Sequence, residues 1–84
     1  MDVDWYEFTV SSGFTATMTF TDAVGDLELE AYSGTTFAWL DGSYSASDME
    51  SITLTGLAAG PYYVRVYGYA GAENPSYCIT VNTY

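Results

Sequence analysis

The sequence predicts an all-β fold, an antiparallel β-sandwich of about seven short strands forming one domain over residues 1–84. Three observations predict it. Apolar and polar residues alternate with period two in stretch after stretch, the pattern of strands buried on one face. Clusters of Gly, Ser, Asn, Asp or Pro separate these stretches at short, regular intervals. No segment carries a helical period: the best candidate, residues 48–57, is rich in Ser and Thr and also alternates in twos.

Taken in order, Tyr6, Phe8 and Val10 alternate with Trp5, Glu7 and Thr9 until Ser11-Ser12-Gly13 breaks the run. Phe14, Ala16, Met18 and Phe20 alternate with Thr15, Thr17 and Thr19, the cleanest period-two stretch in the chain. Residues 22–25 read as a turn, after which Leu27, Leu29 and Ala31 alternate with Glu28, Glu30 and Tyr32. Following Ser33-Gly34-Thr35, residues 36–40 form a short strand candidate that ends at the turn dipeptide Asp41-Gly42, and residues 43–48 are polar loop. Ile52 and Leu54 alternate with Ser51, Thr53 and Thr55; residues 56–61, with two glycines and a proline, make a turn. Tyr62, Val64 and Val66 then alternate with Tyr63, Arg65 and Tyr67, residues 68–76 are loop, and Tyr77, Ile79 and Val81 close the chain with Cys78 and Thr80 opposite them. The expected inward set is Tyr6, Phe8, Val10, Phe14, Met18, Phe20, Leu27, Leu29, Ile52, Leu54, Leu57, Val64, Val66, Ile79 and Val81. That set suffices for two sheets packed face to face.

Composition narrows the function classes. The formal charge is −10, from eleven acids against one cation, Arg65, yet 49% of residues are hydrophobic and nine are tyrosine. An acidic disordered tail lacks such aromatics. One cation cannot neutralise a phosphate backbone, so nucleic acid is excluded as a partner, and anionic membrane surfaces are disfavoured. No run approaches the ~18 apolar residues of a membrane-spanning helix, so no membrane insertion is expected. No charged n-region leads into an apolar stretch, as a signal peptide requires. Met1 opens directly onto strand-like sequence, which predicts a domain embedded in a longer protein. Without histidine the usual general base is missing, and one cysteine without histidine makes no zinc site. No serine or threonine has a histidine or lysine to activate it, so the chain is not expected to be an enzyme. Cys78 has no partner for an internal disulfide and reads as an unreactive strand residue.

Four stretches carry a family resemblance. Asp2-Val3-Asp4-Trp5-Tyr6-Glu7-Phe8-Thr9-Val10 resembles the opening of the bacterial pre-peptidase C-terminal domain: an aspartate pair, an aromatic, Tyr, then alternating apolar residues. Gly25-Asp26-Leu27-Glu28-Leu29 is similar to the family's Gly-Asp-Leu-Asp-Leu strand. Residues 50–66 resemble its strand, Gly-Leu-x-x-Gly turn and Tyr-Tyr-Val-x-Val strand, here Gly56-Leu57-Ala58-Ala59-Gly60 and Tyr62-Tyr63-Val64-Arg65-Val66. Gly68, Tyr69 and Gly71 follow, and Asn74 with Tyr77 fits the last hairpin. The resemblance spans residues 2–81 and implies a β-sandwich of jelly-roll type. It implies a non-catalytic accessory domain of a secreted prokaryotic protein, often a peptidase, aiding secretion, maturation or stability. Collagen-binding domains of bacterial collagenases are relatives of this kind. The implied partner is a covalently linked parent protein, and the implied location is extracellular.

Two candidate sites follow. Asp2 and Asp4 lie two apart before the first strand, and the resemblance makes them ligands of a stabilising calcium ion. Calcium takes six to eight oxygens, so two aspartates supply half a site; the calcium-binding relatives draw further ligands from an upstream acidic segment that this sequence does not contain. The alternative is a solvated N-terminus. The second site is the strand face of Tyr63, Arg65, Tyr67 and Tyr69, opposite Val64 and Val66, with Trp39 and Tyr44 as extensions. Tyrosine offers contact area at low entropic cost, suited to a polysaccharide or fibrous protein. The alternative is that these rings pack as cross-strand pairs and that Arg65 pairs with Glu28 or Glu30. Among the other acids, Asp22 and Asp26 bracket a turn and could hold an ion with the loop carbonyls, with Asp26 read rather as a turn cap, Asp48 and Glu50 read as a solvated edge, and Glu28 and Glu30 as outward, solubilising residues. The functional expectation is an accessory domain; the alternatives are a substrate-binding module acting through the tyrosine face and a structural unit of an extracellular adhesin or filament built by strand addition.

Overall fold

In a computed structural model of the chain, residues 3–20, 25–44, 48–68 and 77–84 are described. They form seven strands: β1 Asp4–Val10, β2 Phe14–Phe20, β3 Leu27–Ser33, β4 Trp39–Ser43, β5 Met49–Leu54, β6 Gly60–Gly68 and β7 Tyr77–Thr83. A four-stranded sheet runs in the order β1-β6-β3-β4 and a three-stranded sheet in the order β5-β2-β7. Every strand pairing is antiparallel. The expected all-β sandwich is therefore present, with no helix among the described residues.

The core lies between the sheets because the apolar half of each alternation points there. Phe14, Met18, Leu27, Leu29, Ile52, Val64 and Val66 are fully buried, and Phe8, Leu54, Leu57, Ile79 and Val81 pack around them as expected. Ala16, Ala31 and Tyr62 complete the core although the expected inward set omits them. Their phase in the alternation places them inward; small size and a hydroxyl disguise it. The Tyr62 hydroxyl escapes the apolar interior by donating to the Ala58 carbonyl at 2.7 Å. Phe14 sits at the centre of an aromatic contact, with the Phe8 ring at 4.6 Å and the Tyr62 ring at 6.3 Å.

Three sequence expectations need correction. Tyr6 is on the inward phase of β1 yet remains 36% exposed, since β1 is the edge of the wider sheet and Tyr6 sits at the rim facing β7, its hydroxyl 2.6 Å from that of Tyr77. The fourth strand is Trp39–Ser43, not residues 36–40, and Asp41-Gly42 lies within it instead of turning. Residues 34–36 take the turn instead, and Gly42 pairs with Glu30 across the sheet. Glu50, expected at a solvated edge, is 1% exposed. It stands opposite Met18 on the inward phase of β5 and accepts a hydrogen bond from Ser43 Oγ. The Ser51 amide in turn donates to Ser43 Oγ at 3.2 Å, so this cluster joins the β4 and β5 edges of the two sheets.

The outer face of the three-stranded sheet is built of hydroxyls. Thr15 stands between Thr53 and Asn82, and Thr17 between Ser51 and Thr80. Thr15 Oγ1 lies 3.3 Å from Thr53 Oγ1 and 2.8 Å from the Tyr84 hydroxyl. The C-terminus is stitched to the β1–β2 corner: the Ser11 and Ser12 amides both donate to the Tyr84 carbonyl, and the Tyr84 amide donates to that of Gly13. Cys78 is exposed on β7.

Phe14→Ala removes the ring that both sheets share. It is expected to cost about 3–5 kcal/mol, a large part of the roughly 5–15 kcal/mol that holds a domain folded. Urea denaturation reads this as a lower midpoint with an unchanged slope; a shift of only a few tenths of a molar would contradict the placement of Phe14.

Candidate functional site

The site is the outer face of the four-stranded sheet. Strand register sets its side chains in rows. One row runs Trp5, Arg65, Glu30 and Gly42; the next runs Glu7, Tyr63, Tyr32 and Trp39. Tyr67 stands opposite Glu28 in a third. Of the residues picked from sequence, Tyr63, Arg65 and Tyr67 do share this face, while Tyr69 lies outside the described residues.

Arg65 occupies the centre. Its guanidinium pairs with the Glu30 carboxylate, and its Cζ lies 4.4 Å from the Tyr67 ring centroid, 5.7 Å from that of Tyr32 and 5.8 Å from that of Trp5. A cation enclosed by three rings and a carboxylate is a structural cation, so the face does not present a free positive charge. Glu30 collects more than Arg65. The Tyr32 hydroxyl donates to its Oε1 at 2.8 Å and the Tyr44 hydroxyl to its Oε2 at 2.5 Å. Glu28 and Glu30 were expected to be outward and solubilising; they do lie on the outer face but are only 3% and 8% exposed, Glu30 beneath these neighbours and Glu28 opposite Tyr67. Tyr44 reaches Glu30 by crossing Gly42, where a Cβ would stand 2.2 Å from the Tyr44 hydroxyl. Gly42 is thus required for close approach rather than for a turn.

These contacts set the electrostatics. Burial raises the Glu30 pKa, but the hydrogen bonds from Tyr44, Tyr32 and Arg65 outweigh it, and the carboxyl sits below its usual value of 4.5. Burial and the bond to Glu30 push Tyr44 up to about 12. At the rim, the Tyr63 hydroxyl donates to Glu7 Oε2 at 2.6 Å, and this bond is the first cause of its raised pKa.

Beside this charged centre lies an aromatic layer that sequence reading did not assemble. Trp5 touches Tyr32, Phe37 and Tyr63 with ring centroids at 5.3, 5.6 and 6.3 Å, and Phe37 stacks on Tyr63 at 5.1 Å. Trp5, Phe37 and Trp39 are 44%, 55% and 54% exposed. Phe37 has a positive φ of 58°, uncommon for a bulky residue. It is held there by a tied loop: its amide donates to the Ser33 carbonyl at 3.0 Å, the Ser33 amide donates to that of Ala38 at 2.9 Å, and the Gly34 amide to that of Pro61 at 3.0 Å. The only sequence signal for this layer was Trp5 and Trp39 on polar phases of their strands. Phe37 lies in a turn, where alternation says nothing.

The calcium candidates separate. Asp2 lies outside the described residues. Asp4 is half-buried on β1 and accepts a hydrogen bond from the Tyr77 hydroxyl. Since Tyr77 gives its one proton to Asp4, Tyr6 donates to Tyr77. Burial and the Asp4 carboxylate hold the Tyr77 hydroxyl well above the usual phenol range. No group of three or more His, Cys, Asp or Glu is placed to hold a metal ion among the described residues. One carboxylate already engaged by a phenol falls well short of the six oxygens calcium takes, so the described residues do not fit a calcium site. Asp22 lies outside the described residues, and Asp48 is exposed.

A lowered Glu30 pKa stabilises the fold above the unfolded value, and that stability is lost as pH falls through the folded value. Thermal melts are expected to drop below about pH 4.5. Tyr44→Phe is expected to cost about 1 kcal/mol at neutral pH and to flatten the acid slope; an unchanged slope would mean that Tyr44 does not hold Glu30 ionised. Asp4→Asn is expected to lower the melting temperature by the same amount in chelator and in millimolar calcium. A loss seen only with calcium would return Asp4 to the metal.

The family model described as the bacterial pre-peptidase C-terminal domain matches residues 2–68. The crystal structure of the pre-peptidase C-terminal domain of collagenase from Bacillus anthracis superposes with a TM-score of 0.73 at 17% identity, covering 95% of this chain and 76% of that one. No curated protein matches the chain.

Proposed function

The chain belongs to the bacterial pre-peptidase C-terminal domain family, and from that membership we propose that it is a non-catalytic accessory domain of a larger exported protein, which it holds against an extracellular polymer through the outer face of its four-stranded sheet. The family consists of accessory domains carried by bacterial peptidases and collagenases, so a covalently linked parent is the natural partner. The observation that carries the binding step is the exposed layer of Trp5, Phe37 and Trp39. Exposed rings gathered on one face mark an interaction site more strongly than single exposed apolar residues such as Met49 or Val3 do.

The tyrosine-face idea thereby changes its residues. Tyr63 and Tyr67 support the layer, one through Glu7 and Phe37 and the other under Arg65. Contact with a polymer falls to the rings beside them. A structural unit of a filament has less to recommend it: a charge of −10 opposes self-assembly at low salt. Export is favoured by the family's place in secreted enzymes.

The test is retention of the isolated domain on insoluble polymers, collagen fibrils and polysaccharides included, in a sedimentation assay. The wild type is expected to partition onto at least one of them. Trp5→Ala is expected to reduce partitioning about tenfold, the loss of one aromatic contact of roughly 1.4 kcal/mol, while far-ultraviolet circular dichroism stays unchanged. Equal partitioning of the two proteins would remove this face from the function.

A further inference from the structure

We infer that the polymer is a polysaccharide, neutral or amine-bearing, docked by its sugar rings across Phe37, Trp5 and Trp39, with Glu7 as the polar contact at the rim. The inference rests on the binding reading above and adds the chemistry of the ligand.

Four observations lead to it. The first is strain placed under exposure. Phe37 holds a left-handed backbone at φ 58° and presents a 55% exposed ring. Glycine or asparagine suits that backbone better, and unfavourable conformations that persist in a tied loop point to use. The second is rigidity. Phe37 is pinned by the hydrogen bonds of the Ser33–Ala38 loop and stacked on Tyr63 with an interplanar angle of 22°. A platform set before binding loses little entropy on contact.

The third observation is shape. Extended proline-rich peptides dock into slots between aromatic rings. Here the rings fill those slots themselves: Phe37 lies 5.1 Å from Tyr63 and 5.6 Å from Trp5, centroid to centroid, with no room for a proline between them. What remains is their outward surface, against which the apolar C–H face of a pyranose ring can lie. Polar groups border it, namely the Glu7 carboxylate held by Tyr63 and the exposed Thr35 and Thr36 on the same loop. The fourth is charge. Arg65 is already paired with Glu30, and the chain carries −10, so polyanions are repelled and a ligand amine finds Glu7.

The experiment measures partitioning onto microcrystalline cellulose, chitin and partly deacetylated chitin, with calcium alginate gel and collagen fibrils as contrasts, at 50 mM and 500 mM salt. Retention is expected on the first three and not on alginate. Phe37→Gly removes the ring while its backbone suits the positive φ, so its fold is expected to survive the lost ring contacts, as far-ultraviolet circular dichroism reads, and it is expected to weaken retention tenfold or more. Glu7→Gln is expected to weaken retention several-fold on deacetylated chitin and little on cellulose, and the difference should shrink in high salt. Thr17→Ala, on the opposite sheet, is the control and is expected to change nothing. Retention on collagen alone, lost in Phe37→Gly, would overturn the polysaccharide inference and leave the binding face standing. Retention on polysaccharide that Phe37→Gly and Trp5→Ala do not alter would overturn the platform. Retention on no polymer would overturn both readings.

Discussion

Eleven carboxylates and one guanidinium leave this chain short of cations, and Asp4, Glu7, Glu30 and Glu50 accept hydroxyl protons instead. Tyr32 and Tyr44 donate to Glu30, Tyr63 to Glu7, Tyr77 to Asp4 and Ser43 to Glu50. A carboxylate taken out of water needs donors or it takes up a proton. A phenol suits the purpose in a β-sandwich, because its ring covers apolar surface while its hydroxyl reaches a neighbouring strand. Much of the tyrosine content is explained by this pairing, and so is the tolerance of glutamate on β3 in the middle of a sheet.

The hydroxyl–carboxylate pairs also lie where the sandwich is open. Two sheets stacked face to face leave two long sides, one between β1 and β7 and the other between β4 and β5. Asp4 with Tyr77 closes the first, and Glu50 with Ser43 closes the second. The core supplies the driving force for stacking the sheets, and these directional bonds at the rims select how they sit. Arg65 completes the pattern within the wider sheet. It belongs to β6 and its partner Glu30 to β3, so the single cation ties the two central strands and carries the rings of Trp5, Tyr32 and Tyr67 around it. Removing one member of such a partly buried pair exposes the other to the full cost of an unpaired charge.

The two outer faces then diverge in chemistry. On the narrow sheet, threonines and serines hydrogen-bond across strands and no strand residue carries an outward charge. On the wide sheet, Glu28, Glu30 and Arg65 are largely covered, while the rings of Trp5, Phe37 and Trp39 stand exposed beside the Glu7 carboxylate. The tied loop after β3 adds Phe37 to this surface in a conformation that alternation along a strand could not provide.

What the sequence determined by itself was most of the strands and most of their inward faces. Period-two alternation is a local property, and Phe14 to Phe20 or Tyr62 to Val66 would bury the same side in any sheet that accepted them. The resemblance to one family, read over residues 2–81 and matched by the family model over 2–68, was legible for the same reason, since its motifs are strands and turns contiguous along the chain. Only the tertiary structure decided which acids are buried and which rings are free. Glu30 meets Arg65 thirty-five residues away and Tyr44 fourteen away, and Asp4 meets Tyr77 across seventy-three, partners fixed by strand order and not by spacing. Trp5, Phe37 and Trp39 stand exposed where Tyr63, Arg65 and Tyr67 are partly covered, because a residue's exposure depends on what crosses over it. Gly42 lets Tyr44 cross to Glu30, and nothing in the run Trp39-Leu40-Asp41-Gly42 says where that ring goes until β4 is laid against β3.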